Sequence, residues 1–136
     1  ERADFAFMLD EMGVTAKQVR EESEIQTDIV QLPSEYSTRL SVRQSAIEGR
    51  GLFLSSPVSA GGVIAPARIG DNRTIAWRYV NHAKSPNCEY RPMPDGNIYL
   101  VALVDINGAI GGSAGCELTA DYRQARSVSG RIEVIQ

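Results

Sequence analysis

The chain has 136 residues and a mass of 14.8 kDa, which suits one domain and leaves no room for a second of ordinary size. With 43% hydrophobic and 23% charged residues it is not disordered throughout, and it holds no run of about 18 uncharged apolar residues that would span a membrane. The net charge of -3 divides into -6 over residues 1–35 and +3 over the remainder, and a mildly basic body behind an acidic leader lacks the basic stripe of a direct nucleic-acid binder.

The leader reads as helix. Phe5, Met8, Leu9 and Met12 fall at i, i+3, i+4 and i+7 and form one apolar stripe, with Gly13 placed to cap its end. Thr15 and Gln18 fit a capping box opening a second short helix through Glu22. The acidic charge argues against a DNA-binding helix-turn-helix, because phosphate contacts need Lys and Arg. The stripe needs a surface to cover, either on the body or on a second copy, so a homodimer is a candidate assembly. Residues 23–35 read as an extended linker ending at Pro33. The expected division is an acidic helical appendage with its linker over 1–35 and a mainly β body over 36–136.

From Tyr36 the pattern changes to short strands and turns. Residues 40–43 alternate like a strand, and 52–54 resume one after the interruption Gly49-Arg50-Gly51. Gly61-Gly62 marks a turn before Val63-Ile64, and residues 76–80 form a short apolar segment with Trp77 in its core. Pro94-Asp95-Gly96-Asn97 is a strong turn signal ahead of residues 98–104, the clearest strand pattern in the chain. Residues 107–115 read as a glycine-rich loop. Short strands, glycine-rich turns and no strand–helix alternation point to small β-sheets. Two cysteines, Cys88 and Cys116, cannot make a disulfide framework, so a reducing intracellular compartment, cytoplasm or nucleus, is expected. With a single histidine they also fall short of a structural zinc site, and no metal is expected. A chain beginning at Glu1 is expected to have been trimmed at its start.

Three islands hold residue types that carry chemistry. The first is Glu48-Gly49-Arg50-Gly51-Leu52-Phe53, whose glycines allow a tight turn or a close backbone approach to a ligand. The second, Arg78-Tyr79-Val80-Asn81-His82 with Pro86-Asn87-Cys88, sets the only histidine beside an amide, a guanidinium and an aromatic. Such a cluster can bind a carboxylate and a heterocycle, or can simply satisfy loop backbone groups. The third is Glu117-Leu118-Thr119-Ala120-Asp121-Tyr122. One histidine and no nucleophile elbow leave no convincing Ser-His-Asp or Cys-His set.

In this order the islands, with Ala102-Leu103-Val104-Asp105-Ile106 between the second and third, resemble the SET domain, the family of protein-lysine methyltransferases that use S-adenosylmethionine. The resemblance spans residues 40–123 and implies a β-clip-like fold of small curved sheets, in which the last segment forms a pseudoknot joining the second and third islands. It implies that Gly49, Arg50, Gly51 and Leu52 line the cofactor. Arg78 and Tyr79 would flank its methionine part, and Asn81 and His82 would contact it, His82 through backbone groups to the adenine. Tyr122 would stand at the methyl-transfer point, and Tyr90 would join it as an aromatic of the substrate-lysine channel. The implied partner is a protein or peptide bearing lysine, a histone tail among the candidates. The chain also departs from the family pattern. The insert between the first two islands is nearly absent, reduced to residues 65–77, no cysteine cluster flanks the domain, and no aromatic residue follows Tyr122. This compact form resembles minimal viral and bacterial members. The missing aromatics motivate an alternative, a non-catalytic interaction module that keeps the fold. Trp77 is expected in the hydrophobic core.

Overall fold

In the computed structural model, residues 2–13, 15, 17, 28–108 and 117–129 are described. Along them run α1 (Arg2–Met12), α2 (Ser34–Ser37), β1 (Leu40–Gln44), β2 (Arg50–Leu54), β3 (Val63–Ile69), β4 (Asn72–Arg73), α3 (Ile75–Arg78), β5 (Asn81–His82), β6 (Cys88–Pro92), β7 (Ile98–Ala102), β8 (Glu117–Ala120) and α4 (Tyr122–Ser129). The expected mainly β fold with a small N-terminal helix is what forms. Two four-stranded sheets carry it, ordered β1-β2-β8-β5 and β4-β3-β7-β6. Their inner faces bury Leu52, Leu54, Ile64, Leu100 and Leu118 completely, and Trp77 lies in the same core.

The path of the chain explains how the islands meet. β1 and β2 form a hairpin in register Leu40↔Leu54 to Gln44↔Arg50. The chain then builds the second sheet, touches the first again at β5, and leaves for the β6–β7 hairpin, whose turn carries Gly96 at a positive φ of 86°. It returns as β8, which slots between β2, antiparallel at Leu52↔Leu118, and β5, parallel at Asn81↔Thr119. A parallel pair needs such an excursion, since no tight turn can join its strands. Asn87 pins the join: its amide nitrogen donates to the Glu117 carbonyl at 2.9 Å and its amide oxygen accepts from the Thr119 N–H at 2.8 Å.

Several elements differ from the sequence expectation. β3 runs through seven residues although it contains Pro66, which has no N–H to donate. The strand tolerates it with register shifts against β7 at that point, and the Thr74 hydroxyl donates to the Pro66 carbonyl at 2.6 Å. The same Thr74 oxygen accepts from the Ala76 N–H at 3.0 Å and so caps α3, one helical turn inside the apolar segment 76–80. β7 ends at Ala102, two residues short of the apolar run, with one further bond in the same register from the Leu103 N–H to the Asn87 carbonyl. Leu103 and Val104 lie exposed. The second leader helix and most of the 107–115 loop fall outside the described residues.

The leader packs on the body. Met8 and Leu9 are buried, Phe5 is half-buried and Phe7 is exposed, so these three residues of the stripe, Phe5, Met8 and Leu9, find cover within the same chain. Leu32 belongs to the core, and Ile29 bridges to Arg73. Arg73, 1% exposed, donates through Nε and Nη2 to the Asp28 carboxylate, each at 2.8 Å. Burial works against ionisation of Asp28, and the Arg73 guanidinium outweighs it, so the carboxyl is held below its usual range. A depressed carboxyl stabilises the fold fully above its unfolded value of about 3.9 and loses that contribution as the pH falls through the folded value. Asp28→Asn is therefore expected to lower stability in urea unfolding by about 2 kcal/mol at pH 7. The deficit should shrink as the pH is lowered beneath about 4.

Candidate active site

The first island is a turn entering β2. The Ser45 N–H donates to the Gly49 carbonyl at 2.8 Å, and Gly49 adopts a φ of +46°, which favours glycine. The Ser45 hydroxyl lies 2.7 Å from Glu117 Oε2 and 2.9 Å from Oε1. Two strands away in the same sheet, the Asn81 amide nitrogen sits 3.0 Å from the Glu48 carbonyl, 3.2 Å from the Arg50 carbonyl and 3.0 Å from Glu117 Oε2. Two hydrogens thus serve three acceptors, and one is shared. Gly51 is buried beside this network, and a Cβ added there would overlap the Glu117 carboxylate. Glu117 is therefore the knot that ties the first island to β5 and β8. Replacing Asn81 by aspartate would set an acceptor-only side chain against two carbonyls and a carboxylate. Asn81→Asp is expected to cost about 3 kcal/mol in urea unfolding, more than Asn81→Ala, which only removes the donors.

The second and third islands meet through His82 and Tyr122. His82 is 3% exposed, and its Nδ1 accepts from the Tyr122 backbone N–H at 3.0 Å. The Tyr122 hydroxyl donates to the Val80 carbonyl at 2.9 Å. The His82 and Tyr122 rings lie 5.1 Å apart. Burial raises the Tyr122 phenol above its ordinary value, with the positive charge of Arg78 opposing the shift and Glu117 adding to it. A phenol so raised stays protonated at neutral pH and cannot serve as a general base there.

The other residues singled out in the sequence take mixed positions. Gly49 and Arg50 are exposed, while the Leu52 side chain is fully buried in the core. Arg78 is half-buried with its guanidinium 4.8 Å from the Tyr79 ring centre. Its buried Nε has no hydrogen-bond partner among the described residues. Tyr90 does not face an open channel: it is 3% exposed, its ring centre lies 4.3 Å from that of Trp77, and burial pushes its phenol well up. Cys88 is a buried free thiol pushed up to about 12 by burial, far from a reactive nucleophile. A separate groove of about 480 Å³, lined by Tyr36, Val63, Met93, Pro94, Asp95 and Tyr99, shares no residue with the cluster.

Sequence reasoning gave no role at this site to Ser45, Glu117 or Asp4, and gave Phe5 only a place in the apolar stripe of the leader. Glu117 stood inside a motif with nothing to say what it held. Asp4 and Phe5 come from α1. Asp4 Oδ2 lies 2.6 Å from His82 Nε2, and the Phe5 ring lies 6.1 Å from the His82 ring and edge-on to that of Tyr122 at 5.9 Å. The only hint was the opposite charge of leader and body.

A family model described as SET domain matches residues 8–123. No curated protein matches the chain. Among solved structures, the chain is similar to one chain of a humanized mutant of the Chaetomium thermophilum Polycomb Repressive Complex 2 bound to the inhibitor GSK126. The identity is 19% and the TM-score 0.47, and the match covers 61% of this chain and 14% of that one.

Proposed function

The chain belongs to the SET-domain family, and from that premise we propose that it transfers a methyl group from S-adenosylmethionine to the side-chain amine of a lysine in a protein or peptide. The observation that carries the reading is the convergence of three distant segments: Asn81 bonds to the first island, and His82 to the backbone of Tyr122.

The residues present fit such a cofactor. The buried Arg78 Nε, without a hydrogen-bond partner among the described residues, suits a carboxylate, and the exposed Gly49 has open space beside its Cα where a ligand would lie. In this reading the backbone of Gly49, Arg50, Gly51 and Leu52 lines the cofactor. Arg78 and Tyr79 flank its methionine part, and Asn81 and His82 hold the nucleoside end. When bound, the cofactor supplies a methyl already activated on a sulfonium sulfur.

The chain's own work is then binding and alignment. The attacking amine must be neutral, and apolar surroundings lower its pKa. Tyr122, protonated and fixed by its bond to the Val80 carbonyl, orients the reacting groups through its oxygen. Alignment at near-attack distance is worth up to roughly 7–11 kcal/mol in favourable cases. Tyr90, buried against Trp77, supports the site from the core side. A histone tail is the first substrate to try, and the net charge of -6 over residues 1–35 suits a basic peptide.

Titration calorimetry with S-adenosylmethionine, followed by labelled-methyl transfer to a panel of lysine peptides, tests the proposal. Saturable binding and lysine-dependent transfer are expected. No binding at millimolar cofactor would overturn it in favour of a non-catalytic interaction module.

A further inference from the structure

The His82 ring is held from two sides. Its Nδ1 accepts from the Tyr122 N–H, so a neutral imidazole must carry its proton on Nε2. That nitrogen sits 2.6 Å from Asp4 Oδ2, a residue 78 positions away, and the His82 side chain is 2% exposed. A second carboxylate competes for the ring: Asp121 Oδ1 lies 3.8 Å from Nδ1. If the proton moved to Nδ1 it would face Asp121, and the Tyr122 N–H would lose its acceptor. The tautomer therefore depends on which carboxylate prevails.

We propose that Asp4 is a positioning residue: α1 fixes the tautomer and orientation of His82 and, through it, the backbone at the start of α4 that carries Tyr122. The claim that this matters for turnover rests on the methyltransferase reading. The claim about geometry does not. The docking of α1 is itself secured. Arg123 Nη1 lies 3.3 Å from Asp4 Oδ2 and 3.6 Å from Asp121 Oδ1, and its Nη2 lies 2.7 Å from Glu11. Phe5, the next residue, sets its ring against both His82 and Tyr122, so one helical turn covers the pair. The charged groups around the imidazole are thus Asp4 from α1, Asp121 ahead of α4, and Arg123, which touches both. The hydrogen bond from His82 is also the largest influence holding the Asp4 carboxyl below its usual range. A leader helix read as an appendage becomes part of the site.

His82 is the only histidine in the chain, so isotope-labelled histidine gives the nuclear magnetic resonance of one ring. In the wild type, the Nε2–H tautomer alone is expected. Asp4→Ala should admit the Nδ1–H tautomer, because the acceptor that holds the proton on Nε2 is gone. Asp4→Asn keeps an acceptor, so it should keep the Nε2–H tautomer while the Nε2 resonance moves, because a neutral amide replaces the carboxylate beside it, and it carries the test if the alanine variant does not fold. In transfer assays, Asp4→Ala should lower kcat about tenfold, with the KM for cofactor moving less than about threefold, and Asp4→Asn should restore most of the rate. A wild-type ring in the Nδ1–H form, or spectra unchanged in both variants, overturns the inference. If the spectra behave as stated while the wild type transfers no methyl, the methyltransferase reading falls and the positioning of His82 stands.

Discussion

Tyr122→Phe is expected to lower methyl transfer at saturating cofactor by about a hundredfold, a loss typical of removing one preorganised polar group at a reacting centre. Its fold should survive. Phenylalanine keeps the ring that meets Phe5 edge-on and His82 at 5.1 Å, and the backbone N–H still bonds to His82 Nδ1. Only the hydroxyl's bond to the Val80 carbonyl disappears, a neutral hydrogen bond worth about 1 kcal/mol. Single-turnover transfer measured beside urea unfolding separates the two effects. A rate equal to wild type would remove Tyr122 from the chemistry. A rate lost in step with stability would make its role structural.

Gly51→Ala should destabilise the protein by about 3 kcal/mol and weaken cofactor binding at least tenfold, although it adds one methyl group. The added carbon falls on the Glu117 carboxylate. That group is the far end of a flexible side chain and can swing aside. Doing so takes it away from the Ser45 hydroxyl and the Asn81 amide, the contacts that tie the turn before β2 to β5. The cost is thus in hydrogen bonds to a charged group more than in crowding. A double-mutant cycle checks this: with Glu117→Ala in place, Gly51→Ala should lose most of its effect. Additive losses would mean that the backbone of β2 cannot accept the methyl for reasons unrelated to Glu117.

What the sequence could and could not say follows from how each signal is written. β1 alternates Leu40 and Val42 with polar residues, and β2 and the start of β7 carry short runs of Leu, Phe, Ile, Tyr and Val, patterns that suit a pleated, partly buried surface. β3 is written in Ala, Pro and Arg between its two isoleucines, and its strand character comes from pairing with β7, a tertiary cause that local pattern does not record. α4 hides for a similar reason: Ala125 is its only fully buried side chain among those described, and Tyr122 reads as the end of a motif before it reads as a helix start. The convergence of the islands was readable only because Asn81, His82, Glu117 and Tyr122 keep family spacing. Asp4 was beyond reach, one acid among nine in the leader, since its meaning depends on a ring 78 residues away.

The insertion of β8 between β2 and β5 also governs how this protein can be made. A nascent chain emerging from the ribosome completes both neighbouring strands long before the residues that must lie between them are synthesised. Until then each presents a row of unsatisfied backbone groups, the template on which other chains aggregate. A translation product cut short before Glu117 would be a hazard to proteostasis, where one cut after α4 would have the gap between β2 and β5 filled.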